Sequence, residues 1–91
     1  MTIIEFINEV KRTSTFSNPI YTYTHGLCLD FAKILAEKFS GQVLLIPEFN
    51  HFVCMVNDHL YDITGNVTNQ YKDYKKILLS DLNEKQLKGY E

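Results

Sequence analysis

The sequence predicts an α+β fold in which a cysteine-bearing central helix packs on a small antiparallel sheet, with further helices at the N- and C-terminal ends. Three observations support this class. Apolar residues recur at helical spacing near the N-terminus, a strongly apolar segment follows at residues 26–39, and short apolar runs between turn residues come after it. Helices and strands that are segregated along the chain in this way are typical of α+β folds.

The composition fits a single domain spanning residues 1–91. Apolar residues make up 45% of the chain and charged residues 22%, which is ordinary for a globular protein. The net charge is −2 and the basic residues are not clustered, which argues against nucleic-acid binding. MTIIEFINEV lacks a signal-peptide pattern and the apolar runs are shorter than a membrane span. We therefore expect a cytoplasmic protein without membrane binding, whose two cysteines stay reduced.

The first helix is predicted at residues 3–12. Thr2 and Glu5 form a T-x-x-E capping box, and apolar residues follow it at helical spacing. Residues 12–25, RTSTFSNPIYTYTH, are rich in Ser, Thr and Asn and contain a proline, so this segment is predicted to be a loop.

The second helix is predicted at residues 26–39. The segment is apolar on most sides, which indicates a helix that its neighbours bury on several faces. Gly41 is expected to end it, because glycine is common just past a helix C-terminus. Cys28 lies in the first turn, where exposed backbone N–H groups and the helix dipole stabilise a thiolate.

Two buried strands are predicted next, from QVLLIP at residues 42–47 and FNHFVCMV at residues 49–56. The dipeptide Asn57-Asp58 between the second run and HLYDITG suggests a tight hairpin.

This hairpin predicts which side chains meet. With Asn57 and Asp58 as the two loop residues, Val56 pairs with His59, and side chains alternate between the two faces from there. One face then carries His51, Val53, Met55, Leu60, Asp62 and Thr64. His51 and Asp62 are diagonal neighbours within reach of a hydrogen bond, whereas Cys54 lies on the opposite face.

The C-terminal third gives weaker signals. VTNQYKDY, residues 67–74, is ambiguous between a helical turn and a loop, and we expect its tyrosines to lie in an exposed turn. KKILL, residues 75–79, is predicted to be a further strand. Ser80 is predicted to cap a last helix that runs through about Lys88.

Cys28, His51 and Asp62 could supply the three roles of a thiol-based catalytic triad. A histidine beside a thiol favours the thiolate and acts as a general base and then a general acid, and a carboxylate behind the histidine orients its ring. Simpler roles stay open, since Cys28 fits a small core residue and Asp62 fits a hydrogen bond to the backbone of the following turn. Cys54 is predicted to be a plain core residue.

A metal site is another alternative for the same residue types. The candidate ligands are His25, Cys28, His51 and His59. They contain no close ligand pair such as C-x₂-C, and His59 is predicted to face away from His51. Neither a metal nor another cofactor is therefore expected.

Three short motifs occur in order: G-x-C-x-D-F-A at residues 26–32, a histidine that opens a strand, and Y-D-I-T-G at residues 61–65. Their order resembles the core of transglutaminase-like and papain-like cysteine enzymes. The chain resembles more closely still small uncharacterised proteins of bacteria and their phages, over residues 24–66. The resemblance implies a minimal core of that superfamily with Cys28 as nucleophile, His51 as proton shuttle and Asp62 as the residue that orients His51.

The same resemblance implies a thiol hydrolase or acyl transferase that acts on an amide bond, as a peptidase, amidase, deamidase or transglutaminase-type enzyme with a protein or peptide substrate. The chain departs from the family pattern in three ways: it has no glutamine shortly before Cys28, no tryptophan, and Ile-Thr after Asp62 where Pro-Thr is common. The alternative is a non-catalytic binding module of the same fold, such as a phage-encoded inhibitor of a host protein.

The missing glutamine matters because it helps to form the oxyanion hole in papain-like proteases. One such donor is worth roughly 10²–10³ in rate. The candidate replacements are the backbone N–H groups of Leu27 and Cys28 and the hydroxyl groups of Tyr21, Tyr23 and Thr24.

Overall fold

A five-stranded antiparallel sheet is the centre of the structure, a computed structural model that describes residues 1–13, 27–83 and 85. The helices are α1 (Ile3–Thr13), α2 (Cys28–Phe39) and α3 (Thr68–Tyr71). The strands are β1 (Gln42–Ile46), β2 (His51–Val56), β3 (His59–Asp62), β4 (Gly65–Asn66) and β5 (Ile77–Leu78). They lie in the order β4-β3-β2-β1-β5, and each neighbouring pair is antiparallel. The predicted α+β class is confirmed.

Helix α1 begins as predicted, with a capping box. The Thr2 N–H donates to Glu5 Oε1 at 3.0 Å and the Glu5 N–H donates to Thr2 Oγ1 at 3.1 Å, so two N–H groups at the start of the helix are satisfied. Ile7 of α1 is buried against α2. Most of the predicted loop, with Tyr21, Tyr23, Thr24 and His25, lies outside the described residues.

Helix α2 ends differently from the prediction. Ser40, not Gly41, takes the left-handed conformation (φ 57°), and the Gly41 N–H donates to the carbonyl oxygen of Ala36 at 3.0 Å. Gly41 is required for space instead: an added Cβ would lie 2.6 Å from the Met55 carbonyl oxygen and 2.7 Å from Cys54 Sγ. The close approach of β2, rather than a positive φ, explains the glycine.

The sheet has a different cover on each face. Helices α1 and α2 cover the face that carries Val43, Leu45, Phe52 and Cys54. The opposite face carries Leu44, Ile46, Val53 and Leu60, and is covered by Val67 and Tyr71. Helix α2 is less enclosed than predicted, because Ile34 is 45% exposed on its outer side.

The β2–β3 hairpin has the predicted turn and register. Asn57 and Asp58 both have positive φ angles, 50° and 66°, as a two-residue type I′ turn requires. Val56 pairs with His59. Strand β2 begins at His51 rather than at Phe49, because residues 47–49 form a 3₁₀ turn that ends at a left-handed Asn50.

The C-terminal part of the described chain corrects the start of the predicted last helix, because Lys85 is helical whereas Ser80 is not. Ser80 lies inside a 3₁₀ turn, Leu79–Asp81, and Leu82 is extended, so no helix begins at Ser80. The apolar side chains of Leu79 and Leu82 pack against the core, which favours this conformation over a helix start. Residue 84 and residues 86–91 lie outside the described part. None of the described helices is long and apolar enough to cross a membrane.

Candidate active site

Three elements bring Cys28, His51 and Asp62 together at one end of the sheet. Cys28 is the first residue of α2, His51 is the first residue of β2, and Asp62 is the last residue of β3. Because β2 and β3 are antiparallel, the start of β2 lies beside the end of β3. The hairpin register therefore places His51 next to Asp62.

The hydrogen bond predicted between His51 and Asp62 is present. His51 Nε2 lies 2.8 Å from Asp62 Oδ2, and each of the two side chains is only 6% exposed. The second oxygen, Oδ1, accepts hydrogen bonds from the Thr64 backbone N–H at 2.8 Å and from the Thr64 hydroxyl. Asp62 therefore makes both of the contacts that the sequence left as alternatives, because one oxygen is hydrogen-bonded to the His51 ring and the other to the turn at Thr64.

The thiol of Cys28 lies beside the His51 ring and the backbone N–H groups of Phe52 and Leu29, all of which favour its thiolate form. Since Asp62 occupies Nε2 of the His51 ring, Nδ1 is the nitrogen that remains for the thiol. Cys28 is partly exposed, in contrast to a residue sealed in the core. The three side chains thus form one continuous row from a partly exposed residue, Cys28, to a buried carboxylate.

The electrostatics of the row favour its charged forms. Burial raises the pKa of Cys28, but hydrogen bonds from His51 and two N–H groups, together with the charge of His51, outweigh burial and hold that pKa below its ordinary value. Burial lowers the pKa of His51, but hydrogen bonds to Asp62 and Cys28 raise it to about 9. The two shifts both favour a thiolate beside an imidazolium, and the two groups titrate as a pair.

Asp62 stays ionised in spite of its burial. Burial raises the pKa of this carboxyl, but the hydrogen bond from His51 and the two from Thr64 lower it by more. An ionised carboxylate in contact with Nε2 fixes the ring orientation and stabilises its positive charge.

Cys54 is a core residue, as predicted. It is 0% exposed and packs with the apolar side chains of Ile7, Phe31, Leu35 and Ile63. Burial raises the pKa of its thiol to about 11, so it stays protonated at neutral pH.

Tyr71 is a residue of the site that the sequence prediction missed. It was expected in an exposed turn, but it is 8% exposed and its ring centroid lies 5.8 Å from that of His51. Burial, and then the charge of Asp62, raise the pKa of Tyr71. A usable signal was the spacing of Val67 and Tyr71, four residues apart, which places two large apolar side chains on one side of a short helix.

The remaining candidate metal ligands do not join these residues. His59 lies exposed at the hairpin turn, and His25 is outside the described residues. Across residues 1–13, 27–83 and 85, no group of three or more His, Cys, Asp or Glu side chains could hold a metal ion.

No protein-family model, curated protein or solved structure matches this chain.

Proposed function

We propose that this protein is a thiol hydrolase or acyl transferase that acts on an amide bond of a protein or peptide. Cys28 is the nucleophile, His51 moves the proton and Asp62 orients His51. The single observation that carries the proposal is the row from Cys28, a partly exposed residue, through the adjoining His51 ring to the hydrogen-bonded Asp62 carboxylate. Such a row activates a sulfur nucleophile and has no comparable use in a plain core.

The fold proposed for this site is a minimal papain-like or transglutaminase-like core. In those enzymes the nucleophilic cysteine starts a helix, the histidine opens a strand and the carboxylate or amide lies on the next strand. Cys28, His51 and Asp62 stand at the corresponding places on α2, β2 and β3.

In the first half-reaction the Cys28 thiolate attacks the amide carbon. A sulfur–carbon bond forms, and the carbonyl electrons move onto oxygen. The backbone N–H groups of Leu27 and Cys28 are the candidate donors to this oxyanion, because the first N–H groups of a helix have no partner within the helix. When the tetrahedral intermediate collapses, the carbon–nitrogen bond breaks and the leaving nitrogen takes the proton of the His51 imidazolium.

The second half-reaction frees the enzyme from the thioester. Neutral His51 accepts a proton from water or from an amine as that nucleophile attacks the thioester carbon. The carbon–sulfur bond then breaks, and the electrons return to Cys28 as thiolate beside imidazolium. Water gives hydrolysis, and an amine gives acyl transfer, with the same three residues in the same roles.

The pH dependence of Cys28 alkylation by iodoacetamide tests this proposal. Peptide mapping by mass spectrometry separates Cys28 from Cys54. An unperturbed thiol has a pKa of about 8.5. We expect the alkylation rate of Cys28 in the wild type to stay high well below that pH. In His51→Ala the inflection should move to about that reference value.

His59→Ala is the matched control, because His59 is an exposed histidine in the same hairpin. It should leave the profile unchanged. Ordinary thiol behaviour in the wild type, with no effect of His51→Ala, would overturn the enzymatic proposal and leave a binding module of the same fold.

A further inference from the structure

Three aromatic side chains, Phe49, Tyr71 and Tyr74, form a cluster beside His51. Their ring centroids are 4.9 Å apart for Phe49–Tyr74, 5.6 Å for Phe49–Tyr71 and 6.4 Å for Tyr71–Tyr74, all with edge-to-face geometry. Tyr71 also contacts the His51 ring. The aromatic cluster is thus continuous with the proposed catalytic row.

The cluster exposes much of its apolar surface. Phe49 is 49% exposed and Tyr74 is 36% exposed, and among the described residues the other large exposed apolar side chains are Met1, Ile4 and Ile34. Those three belong to the N-terminal helix region and to α2, whereas Phe49 and Tyr74 contact each other. Isolated apolar side chains on a surface are common, but a contiguous patch marks a site of interaction.

Hydrogen bonds fix the backbone that carries both exposed rings, and the edge-to-face contacts orient the rings themselves. Phe49 ends the 3₁₀ turn that Asn50 closes by donating its N–H to the Pro47 carbonyl oxygen at 3.2 Å. The Tyr74 N–H donates to the Tyr71 carbonyl oxygen at 3.1 Å, and Lys76 Nζ donates to the Tyr74 carbonyl oxygen at 2.8 Å. The surface is therefore formed before any ligand arrives, which lowers the entropy cost of binding.

We propose that the aromatic cluster is a substrate subsite that holds one aromatic or large aliphatic side chain of the peptide that Cys28 attacks. This inference rests on the proposed function, because it assigns the substrate class of the same site. Exposed ring edges and faces accept a further ring in the same edge-to-face geometry, and an aliphatic chain by burial alone.

The size and position of the cluster favour a single side chain over a whole protein surface. Specific protein interfaces bury on the order of 1,000 Å² or more, which two half-exposed rings do not provide. Tyr71 of the cluster instead contacts the His51 ring, and His51 in turn interacts with the Cys28 thiol. Through Tyr71 and His51, the cluster is therefore linked to the residue that would hold the scissile carbonyl of a bound peptide.

Two electrophiles with the same reactive group test the subsite: iodoacetamide and N-benzyliodoacetamide. In both, the Cys28 thiolate forms a sulfur–carbon bond as iodide leaves with the bonding electrons. The rate constant of the benzyl reagent is divided by that of iodoacetamide, and the quotient is normalised to glutathione. We expect about a fivefold preference for the benzyl reagent, which corresponds to the interaction free energy of about one aromatic pair.

Phe49→Ala should lower this preference to nearly the glutathione value, and Tyr74→Ala should lower it in part. Ile34→Ala is the matched control, since Ile34 has a similar exposure, 45%, on α2; it should keep the wild-type preference. Circular dichroism verifies that each variant is folded.

The quotient separates the two proposals, because the reactivity of the thiol itself cancels. A wild-type quotient equal to that of glutathione, or one that Phe49→Ala leaves unchanged, would overturn the subsite while the iodoacetamide pH profile still supports the catalytic row. Ordinary iodoacetamide reactivity with a preserved, Phe49-dependent quotient would overturn the catalytic row and leave an apolar binding site.

Discussion

Cys28 and Cys54 lie in elements that pack against each other, since Cys28 begins α2 and Cys54 lies in β2. Burial raises the pKa of both thiols, and for both it is the largest single influence. The outcome is nevertheless opposite: the pKa of Cys54 rises to about 11, whereas that of Cys28 is lowered. Hydrogen-bond donors, and not burial, decide which of the two thiols can act as a nucleophile.

The surroundings of the two sulfurs explain the difference. Cys54 packs among apolar side chains and against the backbone at Gly41, where nothing favours a thiolate. Cys28 has two backbone N–H groups and the His51 ring as donors. The predictions below perturb first the packing around Cys54 and then, with decreasing effect, the residues that support Cys28.

Gly41→Ala should have the largest effect, a loss of about 3 kcal/mol in the free energy of unfolding. Its new Cβ would lie 2.6 Å from a backbone oxygen that cannot move without shifting β2. Urea unfolding measures the loss.

Gly65→Ala is the comparison for this prediction. Gly65 has a φ of 120°, so its alanine variant is strained, but no atom lies within 4 Å of the added Cβ. We expect a smaller loss of about 1–2 kcal/mol there. A smaller loss at Gly41 than at Gly65 would contradict the close packing around Cys54.

Asp62→Asn should reduce the alkylation rate of Cys28 at pH 6.5 by about tenfold, equivalent to about one pKa unit. The amide keeps the shape of the carboxylate but removes the charge that supports the imidazolium, so the thiolate loses part of its counterion. Iodoacetamide labelling with mass spectrometry measures the rate.

Asp73→Asn is the matched control, because Asp73 is exposed in the turn after α3. Equal rates in Asp62→Asn and Asp73→Asn would show that the Asp62 charge does not reach the thiol.

Cys28→Ser should make the stability of the fold depend on pH, with a loss of about 1 kcal/mol between pH 6.5 and 9. In this variant Asp62 still raises the pKa of His51 above the unfolded value of 6.5, but less than in the wild type, where Cys28 also raises it. Folded His51 therefore keeps its proton to a higher pH than the unfolded imidazole does, and this group makes stability fall as pH rises. The ionisation of Cys28 makes stability rise with pH instead, because the pKa of this thiol in the folded state lies below the ordinary 9.0.

In the wild type these two contributions oppose each other, because folding raises the pKa of His51 and lowers that of Cys28. Urea unfolding at the two pH values should therefore show a smaller fall in stability for the wild type than for Cys28→Ser. Parallel pH curves for the two proteins would mean that Cys28 and His51 do not share a proton.

Thr64→Val should have the smallest effect, about a threefold lower alkylation rate of Cys28 at pH 6.5. The variant loses one hydrogen bond to the charged Asp62, and Asp62 influences Cys28 only through His51. Valine keeps the shape and the backbone N–H but loses the hydroxyl that donates to Asp62 Oδ1. Thr64→Ser restores the hydroxyl and should restore the rate.

Thr13→Val removes a hydroxyl that donates only to the Glu9 carbonyl oxygen at the end of α1, and should leave the rate unchanged. A Thr64→Ser variant as slow as Thr64→Val would argue against a positioning role for the hydroxyl.

The features of this site that depend on short-range sequence patterns could be predicted from the sequence. The Asn57-Asp58 dipeptide specifies a turn with two positive φ angles, and strand alternation then places His51 and Asp62 on one face. Cys28 at a helix start follows from the apolar pattern of α2. These features depend on residues that are close together along the chain or paired directly across one hairpin.

The features that the sequence did not predict depend on distant contacts. Tyr71 meets His51 across 20 positions of sequence, and β5 pairs with β1 at the edge of the sheet, which no local pattern specifies. Gly41 has its role because β2 passes close by, so its neighbours in sequence suggested only a helix end. The absence of a helix at Ser80 likewise reflects the packing of Leu79 and Leu82 against the core.

The ionisation of Cys28 at neutral pH is the most direct test of the central claim. Ultraviolet absorbance of the thiolate, followed from acid to alkaline pH in the wild type, Cys28→Ser and Cys54→Ser, assigns each ionisation to one sulfur. We expect a thiolate at pH 7 that disappears in Cys28→Ser and persists in Cys54→Ser. Two protonated thiols at pH 7, both ionising only in alkaline solution, would contradict an activated Cys28.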